Sequence, residues 1–314
     1  MRIFFAADAH GSTEVWKKWL NAAATHNPDV LMLCGDLTAK SLVPIIKKGS
    51  KYTCHYFDKK WELRGEEEIA DMERRLAAVG VLSLRCTPEE VSELQASEEK
   101  VTKTIHDAIM ARMEEWLELL LKRVDTRKVM TVAMPGNDDS LDIDGLIKSY
   151  ESRGVIYPLG HIVDIKGHEL ISLAHVTPTP WDTPREMTEK QFEKEIDRLM
   201  LQVKNPRQAI FNSHIPPYGT SLDMAPELTK DLRIQSDLSH VVMSHVGSKA
   251  VRAALEKYQP LLGLHGHIHE SDGLERLGDT LIINPGSEYE KGILRAYIID
   301  VIDGRVDSYL RISG

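Results

Sequence analysis

Residues 3–11 read Ile-Phe-Phe-Ala-Ala-Asp-Ala-His-Gly. An unbroken apolar run, Ile3–Ala7, gives way at once to Asp8 and His10, with Gly11 behind them. Short continuous apolar runs fit strands buried on both faces. The pattern recurs along the chain. Val30–Leu33 leads to Gly35-Asp36, Val129–Ala133 to Pro135-Gly136-Asn137-Asp138-Asp139, and Ala209–Asn212 to Ser213-His214. Leu261–Leu264 leads to His265-Gly266-His267-Ile268-His269, while Ile171–Ala174 and Leu281–Ile283 add two further strands.

Helical patterns lie between several of these runs. Val15, Trp16, Trp19, Leu20, Ala23 and Ala24 share one face, with Ser12 or Thr13 placed to cap. Ser248–Tyr258 repeats the pattern until Pro260 stops it. Gly292–Ile312 alternates apolar and polar residues around Asp303-Gly304, a hairpin signal. The sum is an α/β core with antiparallel strands near its C-terminal end.

Residues 44–127 read as an insertion, a largely helical cap or arm between two core strands. Lys51–Arg64 has the look of a hairpin, and Glu66–Val79 is charged and helical. Thr87-Pro88-Glu89-Glu90 is a capping box with proline at the first helical position. A long apolar stripe follows, through Val101, Ile105, Ala108, Ile109, Trp116, Leu117, Leu120 and Val124. Its first use is packing; apolar residues left on its outer face suit a homo-oligomer built through the inserted helices.

The 314 residues are 42% hydrophobic and 28% charged, the balance of a globular protein with a sizeable core. No run approaches the roughly 18 apolar residues of a membrane span, and the N-terminal run turns acidic too soon for a signal peptide. Cys34, Cys54 and Cys86 form no CxxC pair, which excludes a zinc finger and a disulfide framework and fits a reducing cytoplasm. A net charge of −9 and the lack of a basic, aromatic-interleaved stretch give a nuclease no support.

The chemistry is concentrated in the five strand-end loops. Carboxylate, carboxamide and imidazole together suit manganese, iron or zinc, with no thiolate placed to compete. Asp8 and His10, like His267 and His269, stand two residues apart, a spacing that aims both side chains of a strand end at one centre. Glycines beside them let the backbone turn sharply and approach a ligand closely.

In order, Asp8-Ala9-His10, Gly35-Asp36, Gly136-Asn137-Asp138, Ser213-His214 and Gly266-His267-Ile268-His269 resemble the motifs of the calcineurin-like metallophosphoesterases, DxH, GD, GNH[D/E], H and GHxH. Residues 179–186 (TPWDTPRE), 213–220 (SHIPPYGT), 266–271 (GHIHES) and 284–289 (NPGSEY) resemble a prokaryotic branch of predicted phosphoesterases in that superfamily. The resemblance covers most of the core but not the insertion. It implies a four-layer sandwich of two mixed β-sheets flanked by helices. It also implies two divalent ions, with manganese favoured over iron or zinc. Asp8, His10 and His269 would hold one, Asn137, His214 and His267 the other, and Asp36 would bridge them. Two such metals roughly 3.5–4 Å apart clamp a phosphate and activate a bridging hydroxide for in-line attack. The implied substrate is a small phosphate ester or nucleotide, cleaved by a phosphodiesterase or phosphatase.

One position departs from the family pattern. Where the GNH histidine would assist phosphate binding and leaving-group departure, this chain has Asp138. A carboxylate beside two dications is a poor proton donor and repels phosphate unless a metal or basic side chain neutralises it. Asp138 or Asp139 could instead cap the next helix or orient Asn137. His245, before the predicted helix at Ser248, is a second candidate for the missing work; His175 and Arg185 are two others. His265 lies outside the motif and reads as structural. The expected enzyme is slow on unactivated monoesters. The competing reading is a catalytically weak or inactive metal-binding scaffold whose inserted arm binds a partner.

Overall fold

The computed structural model describes residues 1–229, 231–237 and 240–314. The chain begins with β1 (Arg2–Ala6), α1 (Thr13–Thr25) and β2 (Val30–Cys34). A long excursion follows through β3 (Ser41–Lys48), β4 (Lys51–Tyr56), β5 (Lys59–Leu63), α2 (Gly65–Ala78), β6 (Val81–Cys86), α3 (Pro88–Gln95) and α4 (Glu98–Arg123). The core resumes with β7 (Met130–Met134), α5 (Ile143–Ser149), β8 (Val155–Ile156), β9 (Val163–Ile165), β10 (His168–Leu173), α6 (Glu189–Met200) and β11 (Ile210–Ser213). Short strands β12 (Met224–Pro226), β13 (Ser236–Asp237), β14 (His240–Val241) and β15 (Met243–His245) precede α7 (Lys249–Tyr258). The chain closes with β16 (Leu262–Leu264), β17 (Gly273–Leu277), β18 (Thr280–Asn284), β19 (Arg295–Ile302) and β20 (Arg305–Ser313).

Two six-stranded mixed sheets form the core. The first runs β20-β19-β1-β2-β7-β8, parallel from β1 to β8 and antiparallel at β19 and β20. The second runs β17-β18-β16-β11-β10-β9, parallel at its centre with an antiparallel strand on each edge. The period of two along β1 shows how the layers stack. Ile3 and Phe5 face a core shared with Leu170, Ile210, Leu262 and Leu281 of the second sheet. Phe4 and Ala6 face the opposite way, against Trp16 and Trp19 of α1 and Trp116 of α4. On the far side, α6 and α7 cover the second sheet through Phe192, Ile196, Val251 and Leu255. The result is the expected four-layer α/β sandwich, and both-faced burial accounts for the continuous apolar runs.

Local signals act where the sequence placed them. The Ser12 hydroxyl accepts from Val15 N–H at 3.3 Å, starting α1. Thr87 and Glu90 close the capping box of α3. Asp303 and Gly304 both take positive φ, 50° and 70°, in the two-residue turn between β19 and β20.

The excursion between β2 and β7 holds more than helices. Its strands form a four-stranded sheet, β5-β4-β3-β6, with a small core of Ile45, Cys54, Leu63, Ile69, Met72 and Leu76. The apolar stripe of α4 packs mainly through its C-terminal half, where Met113, Trp116, Leu117 and Leu120 are buried. Among the described residues, no helix is long and apolar enough to cross a membrane.

Candidate metal centre

In each sheet the central strands run parallel, so their C-terminal ends share one edge, the usual ligand-binding edge of an open α/β sheet. Backbone pairing continues past the strands and sets the loops in register. Asp8 N–H reaches Gly35 O at 3.1 Å, His10 N–H reaches Asp36 O at 2.8 Å, and Gly35 N–H reaches Met134 O at 2.8 Å. In the second sheet Gly266 N–H reaches His214 O at 2.9 Å. The loops then meet across the seam between the sheets.

The donors converge there. Ligand atoms of Asp8, His10 and His269 lie within 4.8 Å of one another, as do those of Asp36, His214 and His267. Asp36 Oδ2 stands 3.6 Å from His10 Nε2 and 3.4 Å from His214 Nε2, between the two sets. Asn137 Oδ1 is 3.1 Å from His214 Nε2, while its Nδ2 donates to Asp138 and to Thr183 Oγ1 at 3.0 and 3.2 Å. Those two bonds turn the carboxamide oxygen inward. Asp8 accepts from the His267 backbone N–H.

The backbone is bent hard to make this arrangement. Asp8, His10, Asp36 and His267 all take left-handed φ, from 42° to 67°, a region non-glycine residues visit uncommonly. The glycines are equally constrained. A Cβ at Gly35 would lie 2.0 Å from His214 Nδ1, one at Gly136 would lie 2.2 Å from Asp36 Oδ1, and one at Gly266 would lie 2.5 Å from Asp8 Oδ2.

Electrostatics test whether cations fit. Asp8, His10 and His214 are essentially inaccessible to solvent. Burial works against ionised Asp8, yet His269, His214 and His267 hold its carboxyl below the ordinary value. Burial likewise opposes charge on His214, but Asp36 and Asp8 push its imidazole up to about 9. Burial and Lys40 hold His10 well below its ordinary value, and burial and His214 do the same for His267. The buried carboxylates thus favour charge on His214, while burial disfavours it on His10 and His267. His10 Nε2 and His269 Nε2 are 3.0 Å apart, so both rings face one point. Divalent cations fit this donor set. Cys34, at the end of β2, does not compete: burial pushes its thiol up.

No family model matches the chain. An uncharacterised protein of Methanocaldococcus jannaschii, MJ1162, is 29% identical over 173 residues, 54% of this chain and 69% of that protein. Among solved structures, TT1561 of Thermus thermophilus covers 100% of this chain and 97% of its own, with a TM-score of 0.51 and 14% identity. A further crystal structure covers 95% and 94%, with a TM-score of 0.54 and 17% identity. The chain shares its fold with these two structures.

Asp138, where the sequence departs from the expected motif, has a defined setting. Asp138 N–H donates to Asp36 Oδ1 at 2.9 Å. One Asp138 oxygen accepts from Asn137, and the other is ion-paired with Lys40. Its neighbour Asp139 is fully buried and accepts from Leu37 N–H, Thr38 N–H, Thr38 Oγ1 and Gly136 N–H, at 2.6 to 2.9 Å. Asp139 therefore staples the Asp36 loop to the Asn137 loop.

The remaining sequence candidates sit elsewhere. His245 lies on β15 with Nδ1 2.7 Å from the buried Asp223 and its ring tilted against Tyr218. His265 donates from Nδ1 to Ser213 O at 2.9 Å, and burial pushes it down to about 4. Arg185 is buried against Asp144 and the carbonyls of Asp139 and Ser140. Sequence reasoning missed Lys40, Thr183 and Tyr289, whose ring lies 4.5 Å from that of His10. Thr183 and Tyr289 stand inside motif stretches already noted; Lys40 carried no signal of its own.

Proposed function

We propose that the chain is a metal-dependent hydrolase of small phosphate esters. Asp8, His10 and His269 would hold one cation, Asn137, His214 and His267 a second, with Asp36 between them. The observation that carries this reading is the position of the Asp36 carboxylate, which faces both imidazole sets at 3.4 to 3.6 Å. Divalent cations in such a site supply Lewis acidity to phosphoryl oxygens and activate water. The chain's part is to fix the donors: Thr183 and Asp138 orient Asn137, His267 N–H orients Asp8, and Asp139 locks the two loops together.

Both oxygens of Asp138 are already engaged, one by Asn137 and the other by Lys40, so it is not placed to assist a leaving group. Activated esters and diesters are therefore the better substrates. We further propose the 44–127 segment as the element that selects among them. Its turn between α2 and β6 reaches the centre, since a Cβ at Gly80 would lie 2.2 Å from His10 O.

Assay of Mn²⁺-loaded protein on nitrophenyl mono- and diesters and on alkyl phosphates, beside elemental analysis, tests the proposal. Bound metal and faster turnover of the nitrophenyl esters are expected. Equal rates on activated and unactivated esters would overturn the leaving-group reading. A metal-free, inert protein would overturn the enzyme.

A further inference from the structure

Lys40 stands at the edge of the ligand cluster, paired with Asp138. Its loop is fixed from two sides: Asp139 binds Leu37 and Thr38, and Ala39 packs so closely on Gly11 that a Cβ there would lie 2.5 Å away. The ammonium pairs with Asp138, whose carboxylate also groups with His10 and Asp36 within 4.8 Å. The side chain nonetheless stays 47% exposed, so its head faces both the ligand cluster and solvent. An ammonium has three donors. The pair with Asp138 uses one, and among the described residues Lys40 has no second ion-pair partner.

We infer that Lys40, held by Asp138, is the anion-anchoring residue of this site. It binds a non-bridging oxygen of the phosphoryl group and supplies the fixed positive charge that Asp138 alone lacks. The inference rests on the phosphoesterase reading. It adds to that reading a lysine–aspartate pair in place of the missing histidine. A fixed cation differs from a proton donor in one respect: its effect does not depend on the leaving group.

The test is calorimetric titration of inorganic phosphate into the Mn²⁺-loaded protein, followed by Lys40→Met and Lys40→Arg. Loss of one charge-assisted hydrogen bond should weaken phosphate binding by about 10- to 100-fold in Lys40→Met. Metal content should stay unchanged, and Lys40→Arg should recover part of the affinity. kcat/KM for nitrophenyl and alkyl esters should fall by the same factor. Wild-type phosphate affinity in Lys40→Met, or loss of its metal, would overturn the assignment. So would a loss that grows with leaving-group pKa, which marks a proton donor. A wild-type protein that binds phosphate through Lys40 but cleaves neither ester would refute the phosphoesterase and leave the anchor standing.

Discussion

Asp36 faces both donor sets, so on the proposed reading its replacement tests whether they share a bridging ligand. In Asp36→Asn, bound metal should fall by at least half and hydrolysis by more than about 100-fold, beyond the effect of a typical outer-shell change; elemental analysis and nitrophenyl ester turnover check it. Gly35 gives a backbone version of the same experiment. Its φ of 99° and the 2.0 Å approach of His214 Nδ1 leave no room for a methyl group. Gly35→Ala should cost roughly 1–3 kcal/mol in denaturant unfolding and displace His214. His265 gives a pH signature. Burial lowers its folded pKa to about 4, below the ~6.5 of an unfolded histidine. The native state then binds fewer protons, and stability is lost as pH falls from about 6.5 to about 4. His265→Gln should show a shallower acid limb than wild type in melts of EDTA-treated protein. The convergence of the donor side chains was legible in the sequence, because each follows on an apolar strand and strand ends share an edge. Lys40 was not, because its partner Asp138 is 98 residues away and no periodicity links them. Nor could sequence tell adjacent Asp138 and Asp139 apart; only packing shows which one is enclosed.

At the level of elements, the seven core strands read from sequence all formed, since burial on both faces writes itself as an unbroken apolar run. β3 and β6 went unread for a physical reason. β3 is only partly buried and contains Pro44, which argues against a central strand. The structure resolves the conflict by pairing. β6 runs alongside residues 41–46 of β3, whereas β4 pairs only with residues 46–48, so Pro44 faces no ladder partner on the β4 side. The long helix α4 joins this segment to the core through Trp116. That ring stacks on Trp16 at 4.7 Å and 16°, and Trp16 Nε1 donates to Trp116 O at 3.2 Å. Trp116→Ala should destabilise the protein by about 3–5 kcal/mol, visible as a lower denaturant midpoint.

Across the whole molecule, the centre draws Asp8, His10, Asp36 and Asn137 from loops of the first sheet and His214, His267 and His269 from the second. Cations bound there would tie the two sheets together at their seam. Binding to the native state alone stabilises by about 2.7 kcal/mol at a hundredfold excess over Kd. Mn²⁺ should therefore raise the melting temperature of EDTA-treated wild type and raise that of Asp36→Asn by less. The first sheet carries a different consequence. β1 lies between β2 and β19, with Arg2 opposite Asp300. On the ribosome, at about 5–20 residues per second, that second partner emerges roughly fifteen seconds to a minute after β1. For that interval β1 presents an open apolar edge to other chains. Until β19 arrives, something other than the finished sheet must shield that edge.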